Sequence, residues 1–200
     1  MEQFREKSVF KVLLASRRER DMAELARCLT ELGHQVAGLA REGRAACLLH
    51  HELRPDLAML DQDLPNLDGV EAARRMNARR PLPVLIISRN GCERPGPGAD
   101  PASVSAYCVP PWEPSLVGPI LAMAWRNHQR LCHLEGRVRE LDQALSERKD
   151  IERAKGVLME RRGLSLDQAE QRLQSEARRR GVGLAQVARD LVCAQAVLAK

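Results

Sequence analysis

Residues 55–76 read "PDLAMLDQDLPNLDGVEAARRM". Leu57 to Leu60 form an unbroken apolar run, which Asp61 closes; a loop holding Pro65 and Asn66 follows, and Gly69 opens a stretch with apolar residues at helical spacing. A short apolar run without alternation reads as a strand buried on both faces, and such strands belong to parallel sheets covered by helices on either side. The stretch is therefore one strand–loop–helix unit of an open α/β sheet, with an aspartate at the carboxyl end of its strand. Ligands and chemistry collect at that edge in such sheets. On the residues alone, Asp61 either accepts a phosphoryl group or caps a turn.

Working outward, the same pattern recurs. "VFKVLLA" (Val9–Ala15), "QVAGLA" (Gln35–Ala40), "PVLIIS" (Pro83–Ser88) and "SAYCV" (Ser105–Val109) read as further buried strands, with "LAMLD" (Leu57–Asp61) third in chain order. "RERDMAELARCLTELG", "REGRAACLLHHEL" and "GVEAARRMNARR" lie between the first four and carry helical periodicity. The expected fold is a doubly wound, flavodoxin-like, five-stranded parallel sheet. The fourth connection, "RNGCERPGPGADPAS", holds three Pro and three Gly in fifteen residues and is not expected to form a full helix.

From about Ser115 the pattern turns helical and stays so past Gly156. Leu131, Leu134, Val138, Leu141 and Leu145 recur at alternating spacings of 3 and 4, as in a coiled-coil seam, and a parallel homodimer is favoured over packing on the first domain. Gly163 ends that helix, "SLDQ" (Ser165–Gln168) is a capping box starting the next, and "GLAQVARDLVCAQAVL" makes a third. The expected domains are 1–125, a coiled-coil helix 126–147, and a three-helix unit 148–200.

Composition narrows the function. Aromatic residues make up 2% of the chain and none follows Trp125, which argues against base-stacking platforms. Residues 148–200 hold 12 Lys and Arg against 7 Asp and Glu, while residues 1–147 balance at 20 against 20, so the whole net charge of +5 is C-terminal. Such asymmetry suits contact with a polyanion or a solvated helix face. Six cysteines form no CxxC pair; they are expected to be reduced and mostly buried. His128, Cys132 and His133 are not expected to bind metal. No nucleophile with an adjacent base, phosphate-cradling loop or metal cluster emerges, so neither an enzyme nor a cofactor is expected. With no long apolar run and no cleavable leader, a cytoplasmic protein without membrane contact is expected.

Residues 9–125 resemble the receiver domain of bacterial response regulators, on "PDLAMLDQDLPNLDGVEAARRM" with Asp61 as the phosphoacceptor-like residue. The resemblance implies two acidic residues after the first strand that hold Mg²⁺, a hydroxyl residue ending the fourth strand and a lysine ending the fifth. Ser88 matches the hydroxyl, but Ala15, Ser16 and Arg17 stand in the acidic stretch and Pro110 stands at the lysine. Phosphoryl transfer needs metal and cationic groups on the equatorial oxygens. Asp61 is therefore expected to be inactive.

"LSERKDIERAKGVLMERRGLSLDQAEQRLQSEARRRGVGLAQVARDLV" is similar to the ANTAR domain, the three-helix RNA-binding output module of transcription antiterminators. The matching positions are Arg148, Ile151, Ala154, Lys155, Gly156, Leu158 and Met159, then Ala169 and Leu173, then Val187 and Ala188. Glu170 departs from the pattern, since family members usually carry an aromatic there. A degenerate receiver, a coil and an ANTAR domain in this order resemble the AmiR/NasT family. "SAYCV", "LSERKDIERAKGVLM" and the missing receiver acids lean toward its nitrate-responsive NasT branch. The resemblance implies binding to a two-hairpin leader mRNA ahead of nitrate-assimilation genes. It also implies control by an inhibitory, periplasmic-binding-protein-like nitrate sensor (NasS-like).

The RNA-binding residues are expected in one heptad column. Steps of seven from Leu134 give Leu141, Arg148, Lys155 and Arg162, a seam that turns from apolar to basic. The two helices are then expected to splay near Arg148 and present these cations to phosphates, joined by Arg153 and by Arg178, Arg179 and Arg180. Gly156 and Met159 are included with them, although helix–helix packing is the slightly favoured account of Gly156, and core the first account of Met159. The alternative from another class is a phosphorylation-dependent response regulator with protein- or DNA-binding output.

Overall fold

A computed structural model describes residues 9–89 and 103–198, with side chains through residue 194. The Pro- and Gly-rich connection of residues 89–103 lies, apart from its two end residues, outside the described residues. The chain divides into two compact units, Met1–Cys132 and His133–Lys200.

In the first unit, β1 (Lys11–Ala15), β2 (Gln35–Ala40), β3 (Leu57–Asp61), β4 (Val84–Ile87) and β5 (Ala106–Cys108) make one sheet in the order β2-β1-β3-β4-β5. Every pairing is parallel. Side chains alternate across the sheet. Val12, Leu14, Leu57, Met59, Leu85 and Ile87 face one way, against α1 (Glu19–Glu31) and the start of α4 (Pro114–Arg162). Leu13, Ala15, Ala58, Leu60, Val84 and Ile86 face the other, against α2 (Gly43–Leu53) and α3 (Gly69–Arg79). Two helical layers leave the central strands no wet face, which is why they read as unbroken apolar runs.

The edge that carries Asp61 is set by one close approach. A Cβ on Gly69 would lie 2.3 Å from the Asp61 carbonyl oxygen, so α3 begins hard against the end of β3 only because residue 69 has no side chain. Asp68 caps that helix, accepting from the Glu71 N–H at 2.8 Å.

The second unit contains the rest of α4, with α5 (Leu166–Arg180) and α6 (Leu184–Leu198). Gly163 turns the chain out of α4 at φ 63°. The capping box is formed in both directions, with Ser165 Oγ accepting from the Gln168 N–H at 3.3 Å and the Gln168 side chain from the Ser165 N–H at 2.9 Å. Gly181, at φ 67°, caps α5. Ala154, Leu158, Ala169, Leu173, Ala177, Val187 and Ala188 form the small core.

One expectation needs correction. Of the five described cysteines only Cys28 and Cys108 are buried; Cys47 is half-buried and Cys132 and Cys193 are exposed, because the last two lie on the outer faces of long helices. The seam residues Leu131, Leu134, Val138, Leu141 and Leu145 stand 49–58% exposed. No helix among the described residues is long and apolar enough to cross a membrane.

Candidate functional site

Asp61 ends β3 inside a polar cleft of about 170 Å³ that Arg18, Asp63, Ser88 and Arg89 also line. It is 5% exposed. Its Oδ2 accepts from the Ser16 hydroxyl at 2.9 Å and its Oδ1 from the Asp63 N–H at 3.2 Å. Ser16 thus stands beside the carboxylate as a proton donor where a receiver places a metal-binding acid. A neutral hydroxyl brings no negative charge to a divalent ion, and its hydrogen bond occupies a lone pair of the Asp61 oxygen that such an ion would use.

The sequence reading missed two charged residues here. Asp21, in the first turn of α1, has a side chain only 1% exposed, and Arg89 follows Ser88 at the end of β4. The guanidinium donates twice to that carboxylate, Nε to Oδ2 at 3.0 Å and Nη2 to Oδ1. Arg18 adds a looser contact to Asp21 at 3.9 Å. Asp21 is six residues beyond the end of β1, too far for the β1 pattern to flag, and the turn from strand to helix brings it back to the cleft. Pro110, next but one after β5, supplies no amine. Among the described residues no three His, Cys, Asp or Glu side chains are placed to hold a metal ion. The residues therefore do not fit the receiver's Mg²⁺. The His128–Cys132 contact, 3.5 Å between Nε2 and Sγ, adds no third ligand.

In the second unit the expected basic column is broken. Arg148, Arg153, Arg162 and Arg178 are exposed and make no ion pair with the described residues. Lys155 does not join them. Its side chain is 12% exposed and its Nζ donates to Glu152 at 3.1 Å and to Glu170 at 2.9 Å. The reason is geometric: Lys155 lies four residues past the core-facing Ile151, about 40° around a straight helix, and so leans toward α5. Glu170 and Glu152 raise its pKa. Glu170, at the position where the ANTAR pattern has an aromatic, is the lysine's partner across the helix pair.

The "ARRR" cluster is likewise partly neutralised. Arg179 and Arg180 both pair with Glu176, whose pKa their hydrogen bonds lower to about 2, and Arg180 reaches Asp190 at 3.3 Å. Only Arg178 of the three is open. Met159 is 39% exposed, off the Ile151–Ala154–Leu158 stripe. Gly156 corrects the packing account: a Cβ built there meets nothing within 4 Å, so no described neighbour requires its bareness.

A receiver-type sheet with a buried aspartate at its carboxyl edge, followed by a three-helix module with open cations, defines a signalling regulator with a helical output. Comparison with known proteins agrees. The response regulator receiver domain matches residues 12–95 and the ANTAR domain matches residues 139–192. The chain is 31% identical over 182 residues to the transcriptional regulatory protein PdtaR of Mycobacterium tuberculosis, covering 89% of this chain and 87% of that one. It belongs to this family, the ANTAR-type RNA-binding antiterminators that carry a receiver domain. A protein-glutamate methylesterase/protein-glutamine glutaminase of Anaeromyxobacter dehalogenans is 36% identical over 87 residues, but the match spans only 26% of that enzyme and is confined to the receiver domain. Among solved structures, the receiver domain of a modulated diguanylate cyclase from Desulfovibrio desulfuricans G20 superposes with a TM-score of 0.55 at 27% identity. That match covers 60% of this chain and 97% of the other.

Proposed function

We propose that the chain is a cytoplasmic, homodimeric antiterminator whose ANTAR unit grips a two-hairpin leader RNA, with a ligand-sensing partner controlling it in place of phosphorylation. The observation that carries the RNA contact is the set of open cations, Arg148, Arg153, Arg162 and Arg178, on a module with no aromatic residue to stack on bases. Such cations bind phosphates and release counterions, so affinity falls steeply with salt. Gly156, half-buried with open space where a Cβ would stand, and the exposed Met159 leave the backbone of α4 open to close approach. Lys155, Arg179 and Arg180 support the surface through their ion pairs and contribute less to the contact. Two units on one coiled coil suit an RNA with two hairpins, because the second contact becomes intramolecular. Assignment to nitrate or nitrite assimilation rests on the NasT-like segments "SAYCV" and "LSERKDIERAKGVLM". The absent receiver acids favour a NasS-like nitrate sensor as the partner.

The experiment is leader-RNA binding across a salt series. Arg148→Ala and Arg153→Ala each weaken binding and reduce the salt slope by about one, while Lys155→Ala changes the slope less. Wild-type affinity and slope in both arginine variants would show that RNA lies elsewhere. In cells, Asp61→Asn retains antitermination; its complete loss would overturn control without phosphorylation. A sensor protein co-purifies without nitrate and leaves when nitrate is added, and recovery of no partner in either condition would overturn that control.

A further inference from the structure

We propose that the Arg89 guanidinium, clamped by Asp21, is the permanent cation of the Asp61 cleft, and that it bars a divalent ion from the site. Asp61 and Asp63 line the cleft, and Asp21 is tied to it through the cleft residues Arg18 and Arg89, so the negative charge at this edge of the sheet calls for a cation. Arg89 supplies it from within the chain. Two of its N–H groups meet the two oxygens of Asp21, a bidentate geometry that fixes the guanidinium plane, and the same side chain lines the cleft with Asp61. Arg18 lies on the cleft wall as a second positive charge. A metal ion entering beside Asp61 meets like charge from both arginines and a proton donor, Ser16, on the Asp61 oxygen. The positive charge of this cleft is thus built into the sequence at the residue after the β4 hydroxyl. This rests on the reading that control does not pass through phosphorylation, and names the device that enforces it.

The test is Mn²⁺ titration of the full chain, followed by paramagnetic broadening, for Ser16→Asp and for Ser16→Asp/Arg89→Ala. Both restore an acid at the end of β1, and only the second removes the arginine. The double variant is expected to bind Mn²⁺ at least about tenfold more tightly, as removal of a like charge at close range requires. Equal affinity in the two variants, including no binding by either, would overturn the role of Arg89. The unaltered chain offers a second readout that does not depend on the variants folding. The Arg89 Nε–H gives a resonance protected from water exchange and unmoved by millimolar Mg²⁺; a resonance that shifts with Mg²⁺ would overturn the proposal. Loss of antitermination in Asp61→Asn sinks the control reading alone, whereas equal Mn²⁺ affinities sink the Arg89 assignment alone.

Discussion

A carboxylate buried at the edge of a sheet must find a partner, because an uncompensated charge in that setting costs several kcal/mol. Asp61 finds a hydroxyl and a backbone N–H; Asp21 finds a guanidinium. Lys155 and Glu170 show the same logic in the second unit: the departure from the ANTAR pattern at Glu170 places a carboxylate 2.9 Å from the lysine, so the lost aromatic is replaced by an ion pair. Two histidines, His50 buried and His34 half-buried, each leave one ring nitrogen without such a partner. His34 Nδ1 and His50 Nε2 have no hydrogen-bond partner, and burial lowers both pKa values below the ordinary 6.5, with Arg80 and His51 adding repulsion at His50. The unfolded chain therefore binds these protons first as pH falls. Their stabilising contribution is complete above about pH 6.5 and is lost as pH drops through the lower folded values. The urea midpoint of the receiver unit is expected to fall between about pH 7 and about pH 5, and His50→Gln to flatten that fall; an unchanged pH profile in the variant would show that His50 does not titrate this way.

At the scale of elements, helix ends decide the ANTAR unit. Gly163 and Gly181, both at positive φ, stop α4 and α5, and the Ser165–Gln168 box starts α5 with two of its free N–H groups satisfied. Ser165→Ala removes one of these and is expected to destabilise the unit by about 1 kcal/mol, read as a lower denaturation midpoint of the helical signal without loss of receiver structure. A change below a few tenths would mean that core packing alone positions α5. The broken basic column belongs to this scale too. A heptad step falls about 20° short of two full turns in a straight helix, so residues spaced by seven drift around the axis. Arg148 and Arg162 stay open while Lys155, between them, turns toward Glu170. Gly156, eleven residues past Leu145, lies only about 20° from it, on the face of the exposed leucines.

For the whole molecule, five large apolar residues on one stripe of α4 stand about half exposed, an arrangement that a second copy would cover. The charges beside the stripe select the orientation. In a parallel, in-register pair Arg130 lies opposite the second copy's Glu135, and Arg137 opposite its Asp142; an antiparallel pair would set like charges together. Leu141→Lys is expected to convert a dimer to a monomer by light scattering and to lower affinity for a two-hairpin RNA by about one to two orders of magnitude, while leaving one-hairpin binding close to unchanged. A monomeric wild type would remove the basis for this expectation.

Much of this protein was legible in the chain. The β3 and β2 boundaries, the parallel sheet, the end of α4, the capping box and the three-helix core follow from apolar runs, helical periodicity and Gly or Ser punctuation, all signals confined to a few neighbouring residues. Asp61 was legible for the same reason, as the last residue of an apolar strand. What the tertiary structure alone decided are the pairings: Asp21 with Arg89 across 68 positions, Lys155 with Glu170, and Glu176 with the two arginines that the charge count had taken as free. A sequence reports the number and sign of its charges locally, but which of them neutralise one another depends on distances that only the packed helices and strands set.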